Sequence, residues 1–545
     1  MEFSSSKKHP ENENKKTLNR FFSGVAVLTA ANIIVKAIGL MFKIPLQHCI
    51  GDEGMGYFNS AYTVYTWLYT LSTAGIPVAI SMIVSENCAE KNGRQIAKIF
   101  RVSLIVLVII GALSLSLMLI LAGPFSRFIG AGYASYSIIA VAPTLLFICI
   151  SGAYRGYFQG YRNMVPTAVS QVLEALGKMA VGICLAVWAS ARGYAVHFVA
   201  AYATLGITIG AAAGMFSLVI SKMISRQEKS FEAEYPGAGT GPILNRLIGI
   251  AVPVTISSSV MSLTNVLDLM VVVNRLEHIG YTEGAAMAVY GNYTTLVVPM
   301  FNLPPILIYP IAYSAAPIIS AAVAKRDIVS VSRSVRMCLK LTSVISLPCT
   351  FGLAFMAYPV LDMLYSSQSA CLGAPMLILL APAVFFMCIL AVCNSALQAM
   401  GRVKIPILSM GVGAAVKLTL GYFLTGSSSV GIYGTPISTF ACYLAASIVN
   451  IYFIIKYTGA ELDLTGIILK PAVSGAVCGV SGYFLNRLLC SYFSQSISVL
   501  ISVFFAAIIY LGFLLMIGGI SREELEMMPA VKKITGFLNK KAKNS

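Results

Sequence analysis

Apolar residues run in stretches of about twenty or more along nearly the whole chain, separated by short polar breaks. A helix needs roughly 20 such residues to cross a hydrocarbon core of about 30 Å. The pattern predicts fourteen membrane-spanning helices, over residues 22–47, 57–84, 102–122, 134–154, 165–188, 194–221, 247–273, 285–322, 337–357, 372–400, 405–424, 431–455, 467–489 and 494–518. The chain therefore reads as an all-α polytopic membrane protein. Its first twenty residues, MEFSSSKKHPENENKKTLNR, are polar. The apolar run after them is too long for a signal-peptide core and lacks a small-residue cleavage site, so residues 1–20 read as a retained cytoplasmic tail.

The pattern also repeats. At a shift of 239 residues, Ala142-Pro143, Phe147, Cys149-Ile150 and Gln159 recur as Ala381-Pro382, Phe386, Cys388-Ile389 and Gln398. At a shift of 233, Asn59, Pro77, Ala79 and Ser81 recur as Asn292, Pro310, Ala312 and Ser314. The repeat relates spans 1–6 to spans 7–12. Six crossings is an even number, so the halves share one orientation and form a parallel repeat about an axis along the membrane normal. This divides the chain into a six-helix bundle at 21–222, a cytoplasmic linker at 223–246, a second six-helix bundle at 247–457, helices 13 and 14 at 458–519, and a basic amphipathic tail at 520–545. In that tail Ile534, Phe537 and Leu538 lie to one side of several lysines, a pattern that suits the inner membrane surface and its anionic lipids. Two facing parallel repeats are a transporter arrangement, in which matched broken helices point to the moving parts. Span 2 carries Gly75-Ile76-Pro77, and its counterpart, span 8, carries Pro299, Pro304-Pro305, Pro310 and Pro317. Gly75, Pro77, Pro304, Pro305 and Pro310 are the gating candidates, since proline removes a helical hydrogen bond and bends the helix.

Composition agrees with the pattern: 57% of residues are hydrophobic, 11% are charged and mean hydropathy is +0.81. Those values exclude a soluble or disordered chain. The surplus of 38 Lys and Arg over 21 Asp and Glu gives +17, which in a soluble protein would suggest nucleic acid. Its distribution says otherwise. Thirty of the 38, Arg155 and Lys222 among them, fall on one face of the fourteen-helix arrangement, and Arg127, Arg192, Arg275 and Arg487 fall on the other. The positive-inside rule then puts both termini in the cytoplasm and accounts for the basicity without nucleic acid. The twelve cysteines are scattered mostly through apolar spans with no C-x-x-C pair, and His48, His197 and His278 lie near the outer face, so no metal site is predicted. The Gly-rich GAGTG of the linker lacks the ending of a phosphate loop, so no nucleotide hydrolysis is expected.

Four lysines remain inside spans: Lys36, Lys43, Lys178 and Lys417. An ionisable group at mid-bilayer costs ~2.5–3.5 kcal/mol or more, which makes each a functional candidate. Lys36 lies sixteen residues past Arg20, roughly 24 Å up the first helix. Lys43 is seven residues further, on the same face and near the outer interface. Glu174 and Lys178 are spaced i, i+4 and can pair with each other, as structural neutralisation or as part of the function. Lys417, the repeat partner of Lys178, has Gly413 where the acid would be and is the stronger ligand candidate. Asn265 and Asp268 share a helix face and could seat a cation or pair with a lysine. Asn59, Tyr62 and Asn292 are polar groups on the suspected gating pair. Lysines in a low-dielectric cavity attract an anion and repel a cation. The substrate-binding set is therefore Lys36, Lys43, Asn59, Tyr62, Asn292 and Lys417, with Asp268, Asn265, Glu174 and Lys178 as ion-coupling or charge-pair residues, and a lipid-linked sugar diphosphate suits it.

The segments IGDEGMGYFNSAYTVYTWLYTLSTAGIPVAISMIVSE (50–86) and YRGYFQGYRNMVPTAVSQVLEA (154–175) resemble the polysaccharide biosynthesis, stage V sporulation protein B-like family of the MOP (MATE-like) flippase superfamily. The resemblance implies a V-shaped pair of six-helix bundles with two C-terminal helices, and export of an undecaprenyl-diphosphate-linked cell-wall precursor across the cytoplasmic membrane. It also implies that Lys36 and Lys43 occupy places comparable to the diphosphate-binding basic residues on the first helix of lipid II flippases. No cofactor is expected; Na+, H+ or the membrane potential could supply the drive, and cell-wall synthesis proteins are candidate partners. Three other readings stand beside this one. A MATE-type cation-coupled multidrug exporter would want acids on the first helix, which has lysines and no acid. A membrane glycan enzyme would want a sizeable loop, and the outer loops are about ten residues. A non-transporting scaffold of a sporulation or division complex is the third.

Overall fold

The computed structural model describes residues 10–89, 92–161, 163–225, 239–459 and 463–519. The expected linker at 223–246 lies partly, and the tail at 520–545 wholly, outside those residues. Among the described residues there is no strand, and twelve helices are long and apolar enough to cross a membrane. Fourteen were expected. The difference arises at two places. The first stretch, Ala30–Cys88, contains 59 residues, enough for two crossings, and the expected seventh span has a described apolar part of only Thr240–Val252.

The chain divides into two compact units, Met1–Thr295 and Leu296–Ser545. The first contains α1 (Pro10–Thr73), α2 (Ile76–Ala89), α3 (Gly93–Phe128), α4 (Ala134–Val141), α5 (Thr144–Gly160), α6 (Val165–Ala191), α7 (Val196–Ile224), α8 (Thr240–His278) and α9 (Glu283–Asn292). α1 is interrupted at Gly51, whose φ of 66° and ψ of −177° are not helical. A left-handed φ is open to glycine at no steric cost, so this residue separates spans 1 and 2 without a loop.

Along α3 the arrangement of residues is the reverse of a water-soluble helix. Ile105, Ile109, Leu113, Leu117 and Ile120 recur at helical spacing on the exposed side, whereas Ser103, Gly111 and Ser114 are buried. Such a helix is at ease only with lipid on its outer face, where small inner residues allow close packing. Several polar groups are satisfied within the spans. Thr63, Thr66, Thr70 and Thr73 each donate to the carbonyl four residues earlier, and Thr144 and Thr208 share a hydrogen bond at 2.8 Å between α5 and α7. A core of Ile80, Ile83, Ile96, Ile99, Phe100, Tyr157 and Leu247 joins α2, α3, α5 and α8, and Arg246 forms an ion pair with Glu86 beside it.

The second unit contains α10 (Val298–Asn302), α11 (Pro304–Ala324), α12 (Ile328–Phe355), α13 (Ala357–Leu364), α14 (Ser367–Ala399), α15 (Lys404–Thr425), α16 (Gly434–Thr458), α17 (Lys470–Leu489) and α18 (Gln495–Met516). Here α17 and α18 pack on α12: Val344, Cys478, Ala506, Tyr510 and Leu514 form a core, and the Tyr510 hydroxyl donates to the Val344 carbonyl at 2.6 Å. A wide-radius π turn, Tyr293–Val297, connects α9 to α10.

Both expected helix breaks are present. Span 2 is interrupted at Ala74–Gly75, and the Gly75 N–H, freed from its helix, donates to Thr255 Oγ1 at 3.2 Å. Span 8 is interrupted at Leu303, and Pro304-Pro305 open the next helix, where proline lacks nothing that the first turn needs. Pro77 stands in the first turn of α2, and Pro310 lies inside α11.

Candidate functional site

The first unit gathers three of the sequence-predicted polar residues, Lys43, Asn59 and Asn292, around Gly51. Immediately after that break, the Asp52 carboxylate accepts from both flanking amides: Gln47 Nε2 at 2.9 Å and Asn292 Nδ2 at 3.0 Å. About two turns before it, Lys43 Nζ donates to the Thr294 carbonyl at 3.2 Å. About two turns after it, Asn59 Nδ2 donates to Thr294 Oγ1 at 3.0 Å and to Thr295 Oγ1 at 2.7 Å. The π turn explains why these bonds exist. Its widened backbone leaves carbonyls less well held by the helix, and π turns concentrate where side chains must intrude. Asn59 and Asn292, expected to face substrate, are 5% and 0% exposed. The Asn59 amide holds α1 to the π turn and the Asn292 amide holds the end of α9 to Asp52 of α1, which makes both positioning groups. Asn59→Leu is expected to destabilise the protein by about 1–3 kcal/mol, the cost of losing two side-chain hydrogen bonds within the span. A lower thermal midpoint of the purified protein would register it, and an unchanged midpoint would contradict it.

A second group lies along the face that α1 turns to α5 and α6. Phe58, Tyr62, Tyr65 and Tyr69 form a ladder with successive ring centroids 6.4, 5.8 and 6.0 Å apart. The Lys178 ammonium stands over three rings, 4.5 Å from Tyr62, 5.2 Å from Phe42 and 5.9 Å from Phe58. Such cation–π contacts are each worth roughly 0.5–2 kcal/mol, more where water is excluded. The charge of Lys178 also acts on Lys43, so two ammonium groups share this wall.

One expectation is corrected. Glu174 does not pair with Lys178: its Oε2 accepts from Arg155 Nη2 at 2.8 Å, and Arg155 Nε donates to Ser170 Oγ at 3.3 Å. The reason is where α5 ends. The sequence places Arg155 in a cytoplasmic connection, but α5 continues to Gly160 and carries the guanidinium inward, where its planar fork suits a carboxylate better than an ammonium does. Arg155 is thus a site residue that the spacing alone did not reveal.

The other candidates are dispersed. Lys36 lies on an exposed face of α1 beside Ile33 and Ile34. On α8, Asn265 is exposed and Asp268 is half-buried, its charge acting on Tyr290. Lys417 belongs to the second unit, half-buried on α15, where Gly413 admits the Cys442 carbonyl of α16 at the position an acid would fill. No group of three or more His, Cys, Asp or Glu among the described residues could hold a metal ion.

Comparison with known proteins gives the arrangement a context. Residues 21–323 match the Polysaccharide biosynthesis protein family, and residues 253–423 match the MatE family. Stage V sporulation protein B of Bacillus subtilis (strain 168) is 24% identical over 94% of this chain and 98% of its own. The lipid II flippase MurJ of the same organism is 23% identical over 81% of this chain and 84% of its own. A solved structure of lipid II flippase MurJ in an inward closed conformation superposes with a TM-score of 0.66 at 15% identity, covering 90% of this chain and 98% of that one.

Proposed function

The chain belongs to the polysaccharide biosynthesis protein family, within the superfamily of MATE-like flippases, and on that premise we propose that it moves an undecaprenyl-diphosphate-linked cell-wall precursor across the cytoplasmic membrane by alternating access. At the coarser level it is a multi-pass membrane flippase or transporter, not an enzyme. The observation that supports the choice of an anionic substrate is the pair of ammonium groups, Lys43 and Lys178, on one wall of the first unit. Rings and a backbone carbonyl hold them, and among the described residues no carboxylate pairs with either. A diphosphate supplies the missing charge, because two cations in a low-dielectric wall bind an anion far more strongly than they would in water. Lys36 and Lys417 are further ligands for the head group in this reading, and the polyprenyl tail stays in the lipid. Both termini are cytoplasmic, as the positive-inside count requires. Coupling to Na+ or H+ at Asp268 and Asn265, or to the membrane potential, would drive the cycle, and the bent helices at Gly75, Pro77, Pro304, Pro305 and Pro310 would open and close it.

Depleting the protein and then probing leaflet accessibility of lipid-linked precursors tests this directly. Inward-facing precursor should accumulate; an unchanged distribution would refute the substrate. Lys36→Glu should reduce transport at unchanged expression, and full activity would remove Lys36 from the site. The MatE match over residues 253–423 supports a second reading, export of cationic drugs. Protection of cells against cationic dyes that depends on Asp268 would favour it.

A further inference from the structure

Glu174 pairs with Arg155 and not with Lys178, one turn along its own helix. Its carboxylate binds Arg155 at 2.8 Å, while Lys178, one helical turn further on the same face, is held only by aromatic rings. Removing two charges from water costs several kcal/mol per ion, and an apolar pair of equal volume would join α5 to α6 at least as well. The ion pair is therefore a poor structural fastener, and its surroundings are those of a binding site. The side chains of Arg155 and Glu174 are 13% and 28% exposed, and Tyr62 above Lys178 is 38% exposed, so the cluster is partly accessible at both ends. The ladder of Tyr62, Tyr65 and Tyr69 continues from Lys178 along α1.

We infer that Arg155 and Lys178 form an anion subsite for a phosphate-type dianion, and that Glu174 is its built-in occupant, displaced when such an anion arrives. A carboxylate carries one charge and satisfies Arg155 alone. A pyrophosphate group carries more charge and more acceptor oxygens, and can bridge the guanidinium fork and the ammonium together. Self-occupancy keeps the site from being an uncompensated cluster of cations in the membrane when empty, and it sets a threshold that monovalent anions do not cross. This rests on the reading of the protein as a carrier of diphosphate-linked lipid, but the subsite can be measured without that lipid.

The test is calorimetric titration of the full-length detergent-solubilised protein with inorganic pyrophosphate at low ionic strength. Glu174→Gln removes the competitor and should tighten binding by about tenfold or more, within the usual range of coupling between sites. Adding Lys178→Met or Arg155→Met to Glu174→Gln should abolish the gain. Should Glu174→Gln fold poorly, Glu174→Asp keeps the charge but reaches Arg155 less well, and should bind pyrophosphate with intermediate affinity. Equal affinity in wild type, Glu174→Asp and Glu174→Gln overturns the proposal, as does a gain that survives loss of Lys178 and Arg155. A protein that shows the gain yet moves no lipid-linked precursor would refute the transport reading alone. One that moves precursor without the gain would refute the subsite alone.

Discussion

Lys43→Glu is expected to abolish translocation of a lipid-linked diphosphate, with a loss on the order of a thousandfold. Lys43 places its ammonium on the wall shared with Lys178, where it donates to the Thr294 carbonyl. Two unit charges about 4 Å apart interact by ~4 kcal/mol at an effective dielectric near 20. Reversing the sign both removes one attraction for a bound diphosphate and adds a repulsion. The new carboxylate would also pair with Lys178 and withdraw the second cation. Each 1.4 kcal/mol is a factor of ten, so these effects together reach that magnitude even after generous screening. Lys43→Met should be milder, since it leaves Lys178 available. Initial rates of precursor translocation in vesicles at matched protein content would read both variants. Equal rates in wild type and Lys43→Glu would contradict the assignment.

The second large effect is structural. Where α1 crosses α9, Gly56 and Gly291 allow backbone to touch backbone. A Cβ on Gly291 would lie 2.0 Å from the Asp52 carbonyl oxygen, and one on Gly56 would lie 2.1 Å from the Met287 carbonyl oxygen. No side chain can rotate away from such a clash, because the obstacle is main chain. Gly291→Ala must therefore push the two helices apart, which also strains the neighbouring Asn292–Asp52 bond. Overpacking usually costs ~1–3 kcal/mol, and a main-chain obstacle belongs at or above the upper end. Against a total stability of about 5–15 kcal/mol, the folded yield should fall severalfold. Size-exclusion profiles of the solubilised protein measure it; an undiminished monodisperse peak would disprove the crossing.

How far the sequence carried this account depends on the kind of signal. Length and hydropathy make the helices legible, because a membrane offers the backbone no other partner than itself. Gly75 and the prolines of span 8 likewise announce the two breaks, since the chain cannot continue a regular helix through them. Pairings among charges were harder. The i, i+4 spacing of Glu174 and Lys178 is a local rule, and a tertiary contact with Arg155 overrode it. Asn59 and Asn292 appeared to be cavity groups because polarity inside a span suggests function. Only the structure assigns their amides to Thr294, Thr295 and Asp52. The π turn that gathers these bonds has no sequence signature comparable to a proline or a glycine.

The central claim, that a wall of lysines carries an anionic lipid-linked head group across the membrane, is tested most directly in vesicles. The full-length protein is reconstituted with a lipid-linked diphosphate sugar, and the fraction reachable by an impermeant modifying enzyme is followed with time. Wild-type protein should bring inner-leaflet precursor within reach while Lys43→Glu vesicles match protein-free ones. Precursor that stays inaccessible with well-folded wild-type protein, or moves equally fast with Lys43→Glu, would contradict it.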